Sequence, residues 1–184
     1  MRNYNIFFTA DFHFSHKNLY GFINSDGERE RPFDSVEECE ELIIKNWNMT
    51  VRPQDKVYIL GDVCFNRTEG DRILPRLVGK KCLIKGNHDH FQLDWYRKYF
   101  YDVRGCGHLE NFFYSHVPIH PDSKSRFKMN LHGHLHRHFV HKVQDGKRVL
   151  DLWYRNVCVD ANDYKLVPFE VIQSEYGKYK QRGM

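Results

Sequence analysis

Short apolar runs that stop at a polar cluster recur along this chain. They constrain its fold more than any other feature. Tyr4 to Thr9 runs into Ala10-Asp11-Phe12-His13. Asp55 to Leu60 ends in Gly61-Asp62, and Cys82-Leu83-Ile84 leads to Gly86-Asn87-His88-Asp89. Phe112 to Ser115 ends at His116, and Lys128 to His132 at Gly133-His134-Leu135-His136. Each run is β-prone and apolar, the pattern of a buried strand. Strand ends and the loops after them are where open α/β folds keep their sites. Gly86 reads as a residue that takes a turn other residues resist. Taken alone, Gly86-Asn87-His88-Asp89 also fits a plain polar turn.

Helical patterns lie between the runs. Ser35-x-x-Glu38 matches a capping box, and Val36, Cys39, Ile43 and Trp47 follow at helical spacing until Arg52-Pro53 closes the segment. Thr68 to Val78 reads as a helix shortened or bent by Pro75. Leu93 to Phe100 carries an aromatic core face, and Ser15 to Ile23 a short helix capped by Ser15. Val103 to Glu110 and Asn111 to Ser115 read as two tightly joined strands. Gln144-Asp145-Gly146-Lys147 reads as a hairpin turn, and Asn156 to Asp160 and Tyr164 to Val171 as final strands. The mixture predicts an α/β (α+β) fold, with residues 1–176 as one domain and 177–184 as a polar, frayed tail.

Composition limits the setting. A chain of 184 residues, 41% of them hydrophobic, supports one sizeable core. No apolar run approaches the ~18–20 residues that span a bilayer, and the first residues show no signal-peptide pattern. The five cysteines are scattered with no C-x-x-C pair, as expected of reduced thiols in a cytoplasmic protein. A net charge of +4 permits an anionic substrate.

The strand ends carry the chemistry. Asp11 and His13 are two apart, so on a strand both side chains would reach one ion; His134 and His136 repeat the spacing. Carboxylate oxygen with imidazole nitrogen suits Zn, Mn or Fe. With Asp62, Asn87 and His116, the set is rich enough for two divalent ions sharing one carboxylate. His16 and Lys17 follow close behind, and their position allows contact with a bound anion or plain exposure to solvent. Arg137 to Lys142, basic and histidine-rich, reads as a solvated face.

Asp11-x-His13, Gly61-Asp62, Gly86-Asn87-His88-Asp89, His116 and Gly133-His134-x-His136 together resemble the five ordered motifs of the calcineurin-like metallophosphoesterases. With Phe14-Ser15-His16-Lys17-Asn18 after the first motif, the chain resembles more narrowly the small stand-alone phosphoesterases of bacteria and phages. The resemblance spans Asp11 to His136. It implies two packed mixed β-sheets flanked by helices, an αββα sandwich. It implies two divalent ions, Mn foremost, with Fe, Zn or Ni as alternatives. One would take Asp11, His13, Asp62 and His136, the other Asp62, Asn87, His116 and His134. The reaction implied is hydrolysis of small phosphate esters, diesters before monoesters, by in-line attack of a hydroxide bridging the ions. His88 would steady the phosphoryl group or protonate the leaving oxygen, Asp89 would orient His88, and His16 and Asn87 would face the substrate. A nuclease on single-stranded nucleic acid, using Lys124 to Lys128 and Arg137 to Lys142, is the alternative enzyme. A catalytically silent interaction scaffold is the alternative of another class, and the intact ligand set argues against it. No membrane partner is expected.

Overall fold

In the computed structural model the first apolar run is an interior strand, because all four of its side chains, Ile6-Phe7-Phe8-Thr9, are withdrawn from water. The structure describes residues 3–23, 27–124 and 126–181. Residues 24–26, Ser125 of the basic stretch Lys124 to Lys128 and residues 182–184 of the predicted tail lie outside them. In chain order the elements are β1 (Ile6–Thr9), α1 (Val36–Thr50), β2 (Lys56–Ile59), α2 (Arg67–Ile73), β3 (Lys80–Ile84), α3 (Leu93–Tyr96), β4 (Asp102–Arg104), β5 (Cys106–Leu109), β6 (Phe112–Ser115), β7 (Met129–His132), β8 (His141–Gln144), β9 (Lys147–Leu150), β10 (Tyr154–Asn156), β11 (Val167–Pro168) and α4 (Phe169–Gln181).

Among the described residues two mixed sheets result, with β8 and β9 forming a separate antiparallel pair. The first has the order β11-β1-β2-β3-β4, parallel except where β11 meets β1, and its register sets Phe8 beside Tyr58 and Tyr58 beside Cys82. The second has the order β10-β7-β6-β5, parallel except where β5 meets β6. Side chains alternate across each strand, so one face of the first sheet turns Phe8, Cys82 and Ile84 onto Phe112, Tyr114 and Leu131 of the second. The Phe8 and Tyr114 ring centres are 5.8 Å apart. The other face turns Phe7, Val57, Ile59 and Leu83 onto Cys39, Ile43 and Trp47 of α1 and onto Trp95 and Tyr96 of α3. Burying side chains of this size stabilises the fold by about 1.5–3 kcal/mol each. Helix α1 starts where Ser35 accepts the Glu38 N–H at 3.1 Å, while the Glu38 carboxylate reaches back to the Asp34 N–H. The expected mixed α/β fold with helix-flanked sheets is borne out. Among the described residues no helix is long and apolar enough to cross a membrane. All five cysteines are free thiols, and of these Cys106 is exposed and the others buried.

Some predicted elements come out differently. The stretch Val103 to Glu110 is not one strand. At Gly105 the chain leaves β4 in the first sheet and enters β5 in the second. Tyr164 to Val171 is not a strand either: Val167–Pro168 pairs with Phe7 and Phe8, and Phe169 then opens α4. Phe169 and Tyr176 both pack on Phe112, and Ile172 lies in the same core, so the helix carries through residues 177–181 of the predicted tail. Asn156 to Asp160 holds only the end of β10 and then a 3-10 turn at Val159–Ala161. Ser15 caps no helix. Its N–H goes to Glu40 Oε1 at 2.7 Å, and a 3-10 turn begins at Lys17.

Because β1, β2 and β3 are parallel, their C-terminal ends share one sheet edge; β6 and β7 do the same in the second sheet. The two edges meet where Ala10, just past β1, bridges to Cys158, just past β10.

Candidate metal centre

The site loops begin with an unusual backbone. Both strands end before the histidine and carboxylate pairs, so strand alternation does not align Asp11 with His13 or His134 with His136. Instead Asp11 (φ 60), His13 (φ 51), Asp62 (φ 56), His134 (φ 69) and His136 (φ 50) all sit in the left-handed region. Such residues cost roughly 1–2 kcal/mol each when not glycine. They persist only where surroundings over-determine them, typically at functional sites. Here the Asp11 and His13 N–H groups donate to the carbonyls of Gly61 and Asp62, both at 3.0 Å. Gly61 is itself left-handed (φ +92), and a Cβ there would stand 2.5 Å from His116 Nδ1. Gly86 is not among the left-handed glycines. It corrects the turn expected at this position: a side chain is excluded because a Cβ would stand 2.8 Å from the Asp62 main-chain nitrogen and run into its carboxylate.

The side chains converge. Asp62 Oδ2 lies 3.7 Å from His13 Nε2 and 3.4 Å from His116 Nε2, and Asp11 Oδ1 lies 3.6 Å from His13 Nε2. Asn87 Oδ1 is 2.7 Å from His116 Nε2 and 3.0 Å from His134 Nδ1. His116 Nδ1 stands 2.7 Å from the Leu60 carbonyl, which only accepts, so Nδ1 carries the hydrogen. Nε2 then faces two oxygens, an arrangement that a proton or a cation must reconcile. Asp11, His13 and His136 form one group able to hold a metal ion, and Asp11, Asp62 and His116 a second. Within each group one donor atom per residue lies within 4.8 Å of the others.

Burial tests the fit. Asp11, His13, Asp62 and His116 are all withdrawn from water, yet among the described residues Asp11 Oδ1 and both ring nitrogens of His13 have no hydrogen-bond partner. Native proteins rarely leave buried polar atoms unpaired, and an ion is one of the explanations when they do. The other Asp11 oxygen is occupied: Oδ2 accepts the His134 N–H at 2.9 Å and the Cys158 thiol at 2.8 Å, which leaves Oδ1 for a cation. Burial holds His13 below the usual histidine range, even against the pull of Asp11, and lowers His134 as well. For Asp11, burial works upward, but the close approach of the His13 ring, then the influence of His116 and His136, prevails and lowers it. An ionised Asp11 beside neutral His13 and His134 is the protonation state that metal ligands require, whereas for His136 burial works downward but the hydrogen bond and charge of Asp160 prevail and raise it.

The remaining predicted residues divide. His16 and His88 line, with His13, His134 and His136, a cleft of about 420 Å³ whose rim includes Phe22. His16 stacks on Phe65 with ring centres 4.0 Å apart, and burial, then the neighbouring His13, brings it down to about 4. The His88 N–H donates to Asp62 Oδ1 at 2.9 Å, and its ring lies against Phe65. Asp89 departs from its expected role behind His88. It is buried, and its oxygens accept the N–H groups of Asp62 (2.9 Å), Val63 (3.1 Å) and Gly86 (2.8 Å), with the Tyr96 hydroxyl at 3.4 Å. Unpaired amides in two adjoining loops draw the carboxylate inward, so Asp89 ties the end of β2 to the end of β3.

Three residues at the site escaped the sequence reading. Cys158 holds Asp11. Asp160 lies 2.8 Å from His136 Nδ1, and Arg31 bonds Asp160 and the carbonyls of Asp11 and Phe12. Val157-Cys158-Val159 before Asp160 repeats the signal of an apolar run ending in an acid. Arg31 carries no such signal.

No protein-family model matches the chain. An uncharacterized protein, MJ1445 of Methanocaldococcus jannaschii, is 30% identical over 177 residues, which cover 91% of this chain and 88% of the relative. The gene 66 protein of Mycobacterium phage L5 is 36% identical over 89 residues, 46% of this chain and 40% of the relative. Among solved structures, the protein of unknown function AQ665 from Aquifex aeolicus has the same fold, with a TM-score of 0.65 and 24% identity over 94% of this chain and 99% of its own. A Vps29 mutant from Entamoeba histolytica, at a TM-score of 0.40 and 17% identity over 82% and 72% of the two chains, is too remote to bear on the site.

Proposed function

The chain belongs to the family of the Methanocaldococcus jannaschii protein MJ1445, and we propose that it is a dinuclear metal-dependent phosphoesterase of the calcineurin-like kind, acting on small phosphate esters. The observation that carries this reading is the buried Asp11 oxygen and the two His13 nitrogens that lack a hydrogen-bond partner among the described residues, beside a second carboxylate, Asp62, set between His13 and His116. Asp11, His13, Asp62 and His136 would hold one ion, and Asp62, Asn87, His116 and His134 the other. Manganese is the first choice, with iron, zinc or nickel as alternatives. Two such ions supply a water ionised near neutral pH and positive charge that offsets the phosphoryl oxygens.

The chain's own residues do the rest. Asp62 meets both halves of the cradle, and its Oδ1 is pinned by the His88 amide, which leaves Oδ2 between the histidines. The His88 ring stands at the cleft, suited to give a proton to the leaving oxygen, a role typically worth ~10²–10⁴-fold. His16, neutral at physiological pH, offers the phosphate a hydrogen bond rather than a charge. Diesters are favoured over monoesters, a preference supported by Phe22, which lines the cleft at 52% exposure and offers an apolar surface to a second substituent. The free and mostly buried thiols suit a reducing cytoplasm.

The test is hydrolysis of bis(p-nitrophenyl) phosphate and p-nitrophenyl phosphate by protein loaded in turn with Mn, Fe, Zn and Ni. Metal-dependent release, faster from the diester, is expected, with a loss of at least ~10²-fold in Asp62→Ala. Protein inert with every metal, or a fully active Asp62→Ala variant, would overturn the proposal.

A further inference from the structure

Arg31 and Asp160 stand 129 positions apart in sequence, and both side chains are fully buried. Three nitrogens of the Arg31 guanidinium are in use. Nε donates to Asp160 Oδ1 at 2.8 Å, Nη2 to Asp160 Oδ2 at 3.1 Å and to the Asp11 carbonyl at 2.6 Å, and Nη1 to the Phe12 carbonyl at 2.6 Å. Asp160 Oδ2 in turn lies 2.8 Å from His136 Nδ1. Removing either partner of such a pair would leave the other charge buried and alone.

We propose that this ion pair is a preformed brace for one half of the metal centre: it fixes the loop carrying Asp11 and His13, and it sets the tautomer and direction of His136 before an ion binds. A carboxylate held by a guanidinium can only accept, so the His136 hydrogen sits on Nδ1 and the lone pair is on Nε2. The two carbonyls that Arg31 clamps belong to left-handed Asp11 and to Phe12, the residue before left-handed His13. The His13 and His136 rings stack with centres 4.9 Å apart, so the two anchored ligands are also fixed relative to each other. Lysine would keep the charge but not the planar fork that serves Asp160 and both carbonyls at once. The other half of the centre has a separate anchor, the Leu60 carbonyl on His116. On the ligand assignment above, Arg31 and Asp160 are therefore positioning residues first of all for the ion beside Asp11, His13 and His136.

This inference rests on the two-metal reading, and its test separates the two. The His136 tautomer is read by long-range ¹H–¹⁵N NMR on metal-free, histidine-labelled protein in mildly alkaline buffer, for wild type, Asp160→Asn and Arg31→Lys. Manganese stoichiometry is then measured by calorimetry on the same samples. Wild type should show the hydrogen on Nδ1 and bind two ions. Asp160→Asn can offer its amide N–H to Nδ1, so the hydrogen should move to Nε2 and one ion weaken by ~10–100-fold while the other is retained. Arg31→Lys should weaken the same ion with the tautomer unchanged. Hydrogen on Nε2 in wild type, or two ions bound by Asp160→Asn as tightly as by wild type, would overturn the brace. Should a substitution prevent folding, the wild-type tautomer alone still decides. Failure of wild type to bind manganese at all would defeat the metal reading and leave the tautomer result to judge the hydrogen-bond arrangement.

Discussion

A carboxylate takes its role from whatever surrounds it, and the three acids that end β1, β2 and β3 differ for that reason alone. Asp11 has one oxygen satisfied and one bare. Asp62 has one oxygen on the His88 amide and one between two imidazoles. Asp89 has both oxygens satisfied by main-chain amides. The family resemblance implied a partnership of Asp89 with His88, but adjacency in sequence does not say which way a side chain turns. Its amide partners give it a structural task, even though burial pushes its pKa upward. Asp89→Asn puts an N–H donor against N–H donors, so the metal-free protein should lose about 2 kcal/mol of stability, read from urea unfolding. An Asp89→Asn protein of unchanged stability that has lost activity would restore the partnership with His88.

At the scale of elements, hairpin turns show which backbone signals are readable. Gln144-Asp145-Gly146-Lys147 was legible as a turn because glycine takes positive φ freely, and the structure has Asp145 at φ 51 and Gly146 at φ 72. Glu110 and Asn111 make the same two-residue turn between β5 and β6 at φ 49 and φ 67, without a glycine. Asn111→Gly should therefore stabilise the protein by about 0.5–1 kcal/mol, and Asn111→Val should destabilise it, both measured as shifts in the unfolding midpoint. Equal midpoints for all three proteins would mean that the turn carries no strain. Helix α4 was illegible for a different reason. Val167-Pro168-Phe169-Glu170-Val171 is β-prone locally, and only packing of Phe169, Ile172 and Tyr176 in the core selects the helix. Strands buried by their own composition, such as β1 and β3, were read correctly in place, whereas the split at Gly105 depends on two sheets that no local window sees.

The whole molecule brings together residues that start far apart. Parallel pairing gathers the ends of β1, β2 and β3, the second sheet gathers those of β6 and β7, and the Ala10–Cys158 bridge joins the two edges. This is why the carboxylates and histidines at strand ends could be picked from sequence, while the groups supporting them could not. Arg31, Cys158 and Asp160 touch the centre only once the fold is complete. On the proposed function, this convergence builds a site for two cations with Asp62 common to both. This arrangement is tested most directly by crystals of the manganese-loaded protein, with data collected at the metal's absorption edge. Two anomalous peaks are expected in the cleft, one beside Asp11, His13 and His136, the other beside Asn87, His116 and His134, with Asp62 touching both. A cleft without a peak, or a single ion that Asp62 does not touch, would contradict it.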